Sequence, residues 1–397
     1  MTITPPSPVS WPTVALDDCL VFMTSGSRGW AQYYAESGSP FLRIQNVGKN
    51  KLLLDDIAFV EPPNTAEAQR TIVQSGDVLL SITADLGRTA VIPPGFGPAF
   101  VNQHLAILRV KDIDPFYLSA YLSSPNGQVQ ILRSNRHGVK SGLNFEDIRS
   151  FKIPLPPLSE QRRIADVLDR AEALRAKRRA ALAELDGLAQ SIFIEMFGPP
   201  TRIMSNWPTQ SLGRFLKFLT SGSRGWAEYY SEMGDLFLRI QNVKRDELSL
   251  TEVAYVKPPD TAEANRTKVN SGDVLLSITA DIGRTAVVPD TIEKAFISQH
   301  LALLRTGGIS PRFLSAYLSS ESGQEQIFKR NKQGVKAGLN FDDIRSFIVP
   351  LPPDTLQQEF VRRVAVVEKL KAVQRASLAE LDALFASLQD RAFRGAL

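Results

Sequence analysis

Two long segments of the chain carry the apolar pattern of amphipathic helices. In residues 159–197 and 355–394 the large apolar side chains recur at steps of three and four, and neither segment contains proline. A helix of about 38 residues is about 57 Å long, so its apolar stripe is too long for a small domain to bury. We therefore predict that the two helices form an antiparallel coiled coil. The alternative is that each helix lies along its own domain.

Capping residues mark the ends of these segments. Ser159 is predicted to cap the first helix, and Thr355 with Gln358 to form a capping box on the second. Gly198, which two prolines follow, is predicted to end the first helix. The apolar helix positions that we expect to bind partners are Ile164, Leu168, Leu174, Leu185, Val364, Leu370, Leu381 and Leu388.

The residues before the first helix show short, mixed elements bounded by Gly, Pro and Asp. Because the strands cluster ahead of the helices, the pattern indicates an α+β domain rather than a regular parallel fold. The predicted strands are Phe41–Val47, Asp77–Thr83, Thr89–Ile92 and Leu105–Val110. The predicted short helices are Thr65–Arg70, Pro115–Ser123 and Gly127–Ser134.

The chain repeats a whole domain. Residues 24–157 align without a gap with residues 220–353, at a constant offset of 196, and about two thirds of the positions are identical. A period this long fits a globular domain rather than a solenoid unit. We therefore predict a first domain over 1–157, a long helix over 158–198, a second domain over 199–353 and a second long helix over 354–397.

Composition narrows the class of protein only moderately. The net charge is +4 with a pI of about 9.1, which permits nucleic-acid binding without requiring it. No apolar run has the length of a membrane span, so no membrane partner is expected. The single cysteine, Cys19, excludes a disulfide within the chain and a cysteine metal cluster. We interpret it as a core residue of a protein from a reducing cytoplasm.

Familiar enzyme motifs are missing from the sequence. It has no phosphate-binding GxxxxGK[ST] loop and no Asn-Pro-Pro-aromatic or Asp-Pro-Pro-aromatic tetrapeptide of the amino-methylating enzymes. His104 and His300 are equivalent and have no cysteine beside them, so we interpret them as hydrogen-bonded or DNA-facing rather than as metal ligands. Asp85 and Asp281 invite a catalytic interpretation, but a tight turn between strands is favoured.

A shared polar and aromatic cluster predicts contact with a ligand. The loop Ser25–Tyr34 combines glycines, a guanidinium group, hydroxyls and three aromatic rings, and returns at Ser221–Tyr230. Arginine binds phosphate or guanine bidentately, whereas glutamine and asparagine read adenine. The simpler interpretation, that Trp30, Tyr33 and Tyr34 only pack the loop onto the core, stays open for two of the three. The residues predicted to bind DNA are Ser27, Arg28, Trp30, Tyr33, Arg43, Gln45, Asn46, Arg88, His104, Lys140 and Asn144, with their copies Ser223, Arg224, Trp226, Tyr229, Arg239, Gln241, Asn242, Arg284, His300, Lys336 and Asn340.

The order of these parts resembles the specificity subunit of type I restriction–modification systems. The resemblance covers essentially the whole chain: domain, Pro-Leu-Pro-Pro hinge, long helix, then the same three again. Leu155–Gln161 followed by Arg-Arg-Ile-Ala is typical of that family's hinge, as is Gly-Asp-Val-Leu-Leu-Ser-Ile of its domains. The second hinge departs from the pattern with Asp354–Gln358, but it keeps Gln357, so a helix is still expected.

The resemblance implies a non-catalytic chain without a cofactor of its own. In that family each domain recognises half of a split double-stranded DNA site, and the paired helices bind two methylation subunits that carry S-adenosylmethionine and methylate adenine. Motor-nuclease restriction subunits join them for cleavage. Near-identical domains related by antiparallel helices predict an interrupted, near-palindromic target. The length of the helices limits the separation of the half-sites to on the order of two DNA turns. The competing interpretations are a self-contained methyltransferase or endonuclease with unrecognised motifs, and a coiled-coil scaffold that binds proteins.

Overall fold

The computed structural model describes residues 11–134, 142–330 and 338–397. It divides into two compact units: residues 1–179 with 376–397, and residues 180–375. Each unit therefore contains one copy of the repeat together with a segment of both long helices. The predicted four-part division along the chain stays a prediction.

The first copy holds ten short strands, five short helices and the start of a long helix within its described residues. The strands are β1 Thr13–Ala15, β2 Leu20–Ser25, β3 Tyr34–Ala35, β4 Ser39–Leu42, β5 Ala58–Val60, β6 Val78–Ser81, β7 Thr89–Val91, β8 Phe100–Val101, β9 Leu105–Val110 and β10 Lys152–Pro154. The helices are α1 Leu16–Cys19, α2 Ala66–Arg70, α3 Pro115–Ser123, α4 Pro125–Ser134, α5 Phe145–Arg149 and the long α6 Leu158–Phe197.

The second copy repeats this order over its own described residues. Its strands are β11 Thr209–Ser211, β12 Leu216–Ser221, β13 Tyr230–Ser231, β14 Asp235–Leu238, β15 Ala254–Val256, β16 Val274–Ser277, β17 Thr285–Val287, β18 Ala295–Ile297, β19 Leu301–Thr306 and β20 Ile348–Pro350. Its helices are α7 Ile203–Asn206, α8 Ala262–Arg266, α9 Pro311–Ser319, α10 Glu321–Arg330, α11 Phe341–Arg345 and the long α12 Asp354–Phe393. The predicted α+β class and the repeated domain are confirmed.

Two four-stranded sheets organise each copy. In the first, β2-β9-β6-β7 is fully antiparallel, whereas β3-β5-β4-β8 pairs β4 with β8 in parallel. Successive side chains of a strand point to opposite faces. Accordingly Val78 and Leu80 join one apolar cluster, which α3 covers, and Leu79 joins another. The central sheet is thus buried on both faces. Cys19 lies in the first cluster at 3% exposure, as predicted, and burial raises its pKa.

One predicted strand is wrong in its second half. The stretch Phe41–Val47 is a strand only as far as Leu42, and Ile44–Asn46 forms a 3₁₀ turn instead. The side-chain oxygen of Asn46 accepts a hydrogen bond from the Arg43 amide at 2.9 Å. This local side-chain bond gives the backbone an alternative to the sheet.

The predicted N-terminal caps of the long helices are displaced. α6 begins at Leu158 and α12 at Asp354, so Ser159 and Thr355 lie inside the first turn rather than at the cap. In α12 the Gln358 amide instead donates to the Asp354 carboxylate at 2.6 Å. The predicted end is confirmed: Gly198 has a φ of 99°, the left-handed conformation that ends helices.

Segments of α6 and α12 lie antiparallel within each unit. In the first unit Arg175 pairs with Asp382 at 2.6 Å, and Arg163 donates to the Leu397 carbonyl at 3.1 Å. Residue numbers thus rise along one segment as they fall along the other. The second unit shows the same order in its ion pairs Lys371–Asp186 at 2.9 Å and Arg363–Glu195 at 3.0 Å. A coiled coil along the full length of both helices stays a prediction.

The helix ends pack into the globular domains, which corrects the predicted partner-binding stripe. Ile164 and Leu168 are buried in the first domain's core, and Val364 in that of the second. Leu185 and Leu388 pack against these cores, and Leu381 is half-buried. Since these side chains are used within the chain, of the eight predicted positions only Leu174 and Leu370 stay exposed, at 54% and 46%.

Candidate nucleic-acid interface

The glycine-rich loop before Trp30 places one arginine in the open. A Cβ on Gly26 would lie 2.1 Å from the Val101 carbonyl oxygen, so glycine is needed there for packing against the chain itself, not for a ligand. Gly29 has a φ of 87°, in the left-handed region, and starts the 3₁₀ turn Trp30–Tyr33. Between the two glycines, Arg28 is exposed.

Trp30 anchors this loop. It is 6% exposed, its ring centroid lies 4.9 Å from that of Phe41 and 5.2 Å from that of Phe100, and its indole N–H donates to the Ser27 hydroxyl at 3.1 Å. Trp226 repeats these contacts with Phe237, Phe296 and Ser223. The packing interpretation therefore holds for Trp30, whose ring packs against the core and whose N–H fixes the loop at Ser27. Tyr34 differs, since it is 47% exposed.

Arg28 and Arg224 are exposed and form no ion pair or side-chain hydrogen bond with the described residues. Other arginines shared by the two copies are used internally. Arg109 binds the buried carboxylate of Asp77 through two bonds of 2.8 Å, and this hydrogen bonding raises its pKa. Arg70 donates to the Ser25 carbonyl at 3.1 Å. A guanidinium without such a partner keeps all five of its N–H donors for an external anion.

Each free arginine lines a groove. Ser27, Arg28, Trp30 and Tyr33 face the segment from Pro63 to Ala68 across a cavity of about 230 Å³. The second copy forms a groove of the same volume from the equivalent positions. Here the structure brings together four of the predicted residues in each copy, which are Ser27, Arg28, Trp30 and Tyr33 with their equivalents Ser223, Arg224, Trp226 and Tyr229.

A second cavity of about 390 Å³ also borders the Arg224 loop. It gathers residues that are far apart in sequence, because Arg239 and Gln241 follow β14 whereas His300 precedes β19. The Arg239 guanidinium donates to the Glu252 carbonyl at 3.1 Å, yet its Nε is buried without a partner among the described residues. The predicted residues that line this cavity are Ser223, Arg224, Trp226, Arg239, Gln241 and His300.

At the equivalent place the first copy also has a buried arginine Nε without a partner among the described residues, that of Arg43, but it adds a contact with the Asp56 carboxylate. The Gln45 amide donates to the Asp56 carboxylate at 2.6 Å, and Arg43 donates to the Asp56 carbonyl at 3.1 Å. Arg88 pairs with Asp85, as Arg284 does with Asp281. The sequence did not single out Asp56. It lies between β4 and β5, and only the fold shows that its carboxylate contacts Gln45.

Two predicted asparagines and their copies have structural roles. Burial excludes Asn46 and Asn242 as DNA contacts, whereas for the exposed Asn144 and Asn340 DNA contact stays a prediction. Asn46 is 1% exposed, and its amide donates to the carbonyls of Leu53 and Asp56, each at 3.0 Å. Asn144 caps α5 by accepting from the Asp147 amide at 2.8 Å. Asn242 and Asn340 repeat these bonds. Lys140 and Lys336 lie outside the described residues.

The histidines and aspartates singled out from the sequence have ordinary partners. His104 Nδ1 lies 2.5 Å from the Thr83 hydroxyl, and His300 Nδ1 lies 2.6 Å from that of Thr279. No cluster of three potential metal ligands occurs among the described residues. Asp85 lies in the turn between β6 and β7, as favoured, but the Ser81 hydroxyl holds the turn by donating to the Asp85 carbonyl at 2.6 Å.

Comparisons with known proteins agree with this organisation. A family model described as the type I restriction modification DNA specificity domain matches residues 8–184 and 238–383. The specificity subunit of the type I restriction enzyme EcoKI from Escherichia coli K12 is 24% identical over 403 residues, which covers 92% of this chain and 84% of that protein. The EcoBI specificity subunit from Escherichia coli is 24% identical over 334 residues, or 76% and 70% of the two chains.

The fold agrees as well. The crystal structure of a type I restriction–modification S subunit from M. genitalium superposes with a TM-score of 0.61 at 14% identity, over 99% of this chain and 98% of the other. A structure from work on assembly of the type I restriction–modification system gives a TM-score of 0.57 at 20% identity, over 99% and 100%. Among the described residues, no helix is long and apolar enough to cross a membrane. The chain belongs to the family of type I restriction–modification DNA specificity subunits.

Proposed function

We propose that this chain is a non-catalytic subunit that recognises a split double-stranded DNA target, one half with each repeated domain. The observation that carries the proposal is the matched pair Arg28 and Arg224. Each is exposed, each lacks a partner among the described residues, and each lines a groove of the same volume. A guanidinium in this setting suits a phosphate or a guanine edge.

The near-identity of the domains favours a symmetric target. Where two domains share their groove residues, they recognise similar half-sites, and an antiparallel arrangement of the long helices presents these half-sites on opposite strands. The target that we propose is therefore interrupted and near-palindromic. The identity of nine of the ten groove residues supports this proposal.

The chemistry is assigned to partners. We propose that two methylation subunits, each with S-adenosylmethionine, bind the long helices of this cytoplasmic chain, and that motor-nuclease restriction subunits join them for cleavage. The exposed Leu174 and Leu370 supply candidate apolar contacts for the methylation subunits.

The experiment compares Arg28→Ala with Arg224→Ala in the complex with methylation subunits. Binding is measured on duplexes in which either half of the target is scrambled. Each variant should bind the intact target about 10- to 100-fold more weakly, the magnitude typical of a specific arginine contact. The loss should disappear on the duplex in which the half recognised by the mutated domain is already scrambled. Trp30→Ala should weaken recognition of the same half as Arg28→Ala, and Trp226→Ala of the same half as Arg224→Ala, because each ring supports the loop that carries the arginine.

Two controls make the result decisive. Arg170→Ala removes the same charge from α6, where Arg170 pairs with Asp166 at 2.9 Å, and should leave DNA binding unchanged. Methyl transfer by the isolated chain should be undetectable; transfer without partners would instead favour a self-contained enzyme. If Arg28→Ala and Arg224→Ala weakened the same half equally, the assignment of one domain to each half would be wrong.

A further inference from the structure

The two grooves beside the free arginines differ at one position. Each is lined by ten residues at equivalent places in the repeat, and nine of the ten are identical. The exception is Gln32 in the first copy, which is Glu228 in the second. Cavity volume and neighbouring backbone are matched, so the grooves differ in chemistry at this position rather than in shape.

This position is exposed and close to the arginine. Gln32 and Glu228 both lie in the 3₁₀ turn that begins at the buried tryptophan, and both side chains are exposed. Glu228 raises the pKa of the adjacent Tyr229 through its negative charge. A ligand edge that reaches Arg28 or Arg224 in its groove therefore meets an amide in the first copy and a carboxylate in the second.

An amide and a carboxylate of the same shape select different bases. A glutamine amide donates and accepts, which matches N6 and N7 of adenine, whereas a glutamate carboxylate only accepts, which matches the N4 amino group of cytosine. A carboxylate near DNA phosphates is also repelled, so a hydrogen-bond donor on a base offsets its cost.

We propose that Gln32 and Glu228 are specificity-determining residues that make the two half-sites differ at one position, with Gln32 selecting adenine and Glu228 selecting cytosine. This inference depends on the proposed function, because it assumes that the grooves recognise DNA. It adds the source of asymmetry in a target that the shared residues would otherwise make symmetric.

The test maps methylated sites in DNA from cells that carry the chain with its methylation subunits. Wild type, Glu228→Gln, Gln32→Glu and the double exchange are compared. Glutamine and glutamate have nearly the same shape, so each variant keeps the groove. Glu232→Gln is the matched control: it removes one negative charge from the same domain at an exposed residue that does not line the groove.

Glu228→Gln should convert cytosine to adenine at one position of one half-site and make the halves alike there. Gln32→Glu should do the reverse in the other half, the double exchange should swap the halves, and Glu232→Gln should change nothing. Unchanged motifs in both single variants would overturn the inference. So would an equal rise in methylation by Glu228→Gln at all sequences, whichever base stands at that position, since that is the result of charge alone. If the motif methylated with the wild-type chain did not consist of two half-sites, the proposed function itself would be contradicted.

Discussion

The ammonium group of Lys371 lies 2.9 Å from the carboxylate of Asp186, between α12 and α6 of the second unit. In the repeat, Lys371 corresponds to Arg175 and Asp186 to Asp382, which form the ion pair of the first unit at 2.6 Å. The cation thus comes from α12 in one unit and from α6 in the other. One interaction has been kept in both copies with the helices exchanged.

Replacement of Lys371 by alanine should lower stability by about 1–2 kcal/mol. The side chain is 5% exposed, so its packing is lost with its charge. The cost stays below the roughly 3–5 kcal/mol of a broken buried pair, because Asp186 and Glu368 are 59% and 42% exposed and remain solvated. Thermal unfolding followed by circular dichroism checks the value. Lys371→Arg should be nearly neutral, since arginine serves at the equivalent position.

The reverse exchange, Arg175→Lys, should be less well tolerated. The Arg175 guanidinium lies over the Phe385 ring at 4.3 Å, whereas Ala189 occupies the equivalent position in the second unit. Loss of this cation–π contact should cost about 0.5–1 kcal/mol. Equal melting temperatures for Arg175→Lys and wild type would show that the ring contact contributes nothing.

Phe393→Ala should destabilise the first unit, although the residue lies at the far end of the sequence. Phe393 is 6% exposed and its ring packs 5.6 Å from Tyr117 and 5.1 Å from Tyr121. Truncation of such a ring costs about 3–5 kcal/mol. Hydrogen exchange should show lost protection in α3 and unchanged protection in α9. Phe328→Ala removes a ring that is 58% exposed and should leave both helices protected.

Stability should fall at alkaline pH through Tyr317. Burial raises the pKa of this phenol from 10.0 to about 12, and its hydroxyl donates to the Ile348 carbonyl at 3.0 Å. A raised pKa contributes stability that is complete below pH 10 and is lost as the pH rises toward 12, at about 1.4 kcal/mol per pH unit. Tyr317→Phe should therefore lose less stability than wild type between pH 10 and 11.5. Parallel pH profiles would contradict this assignment.

If two methylation subunits bind the long helices as proposed, Leu174→Asp and Leu370→Asp should each weaken one of the two contacts. Both leucines are exposed and occupy equivalent positions in the repeat, so a charge at either should leave the fold intact but disrupt an apolar contact. We expect at least a tenfold loss of affinity at one site, seen as a fall from two bound subunits to one. Ala183→Asp adds the same charge at an exposed helix position, and this variant should still bind both methylation subunits.

The sequence predicted local elements well where local chemistry determines them. Leu105–Val110 and Pro115–Ser123 have the predicted bounds, because a turn precedes the strand and Asp114 caps the helix. The sequence could not predict which helix side chains pack against a domain that is distant in the chain. Ile164 and Leu174 belong to one apolar stripe, yet only the fold shows that a domain core buries the first and leaves the second exposed.

The site could be predicted only as a set of candidates. Arg28 and Arg109 are equally shared arginines in the sequence, and what separates them is the buried carboxylate of Asp77. In the same way, Asn46 and Gln45 are neighbours, but the first is buried and the second exposed. A sequence pattern supplies the residue type, whereas partner and burial depend on tertiary contacts.

The sequence motif that becomes methylated most directly tests the claim that each repeated domain recognises one half of a DNA target. DNA from cells that express the chain with its methylation subunits is sequenced for methyladenine. The account predicts an interrupted motif whose two halves are near inverted repeats, and Arg28→Ala should abolish the requirement for one half while Arg224→Ala abolishes the other. A continuous motif, or two unrelated halves, would contradict it.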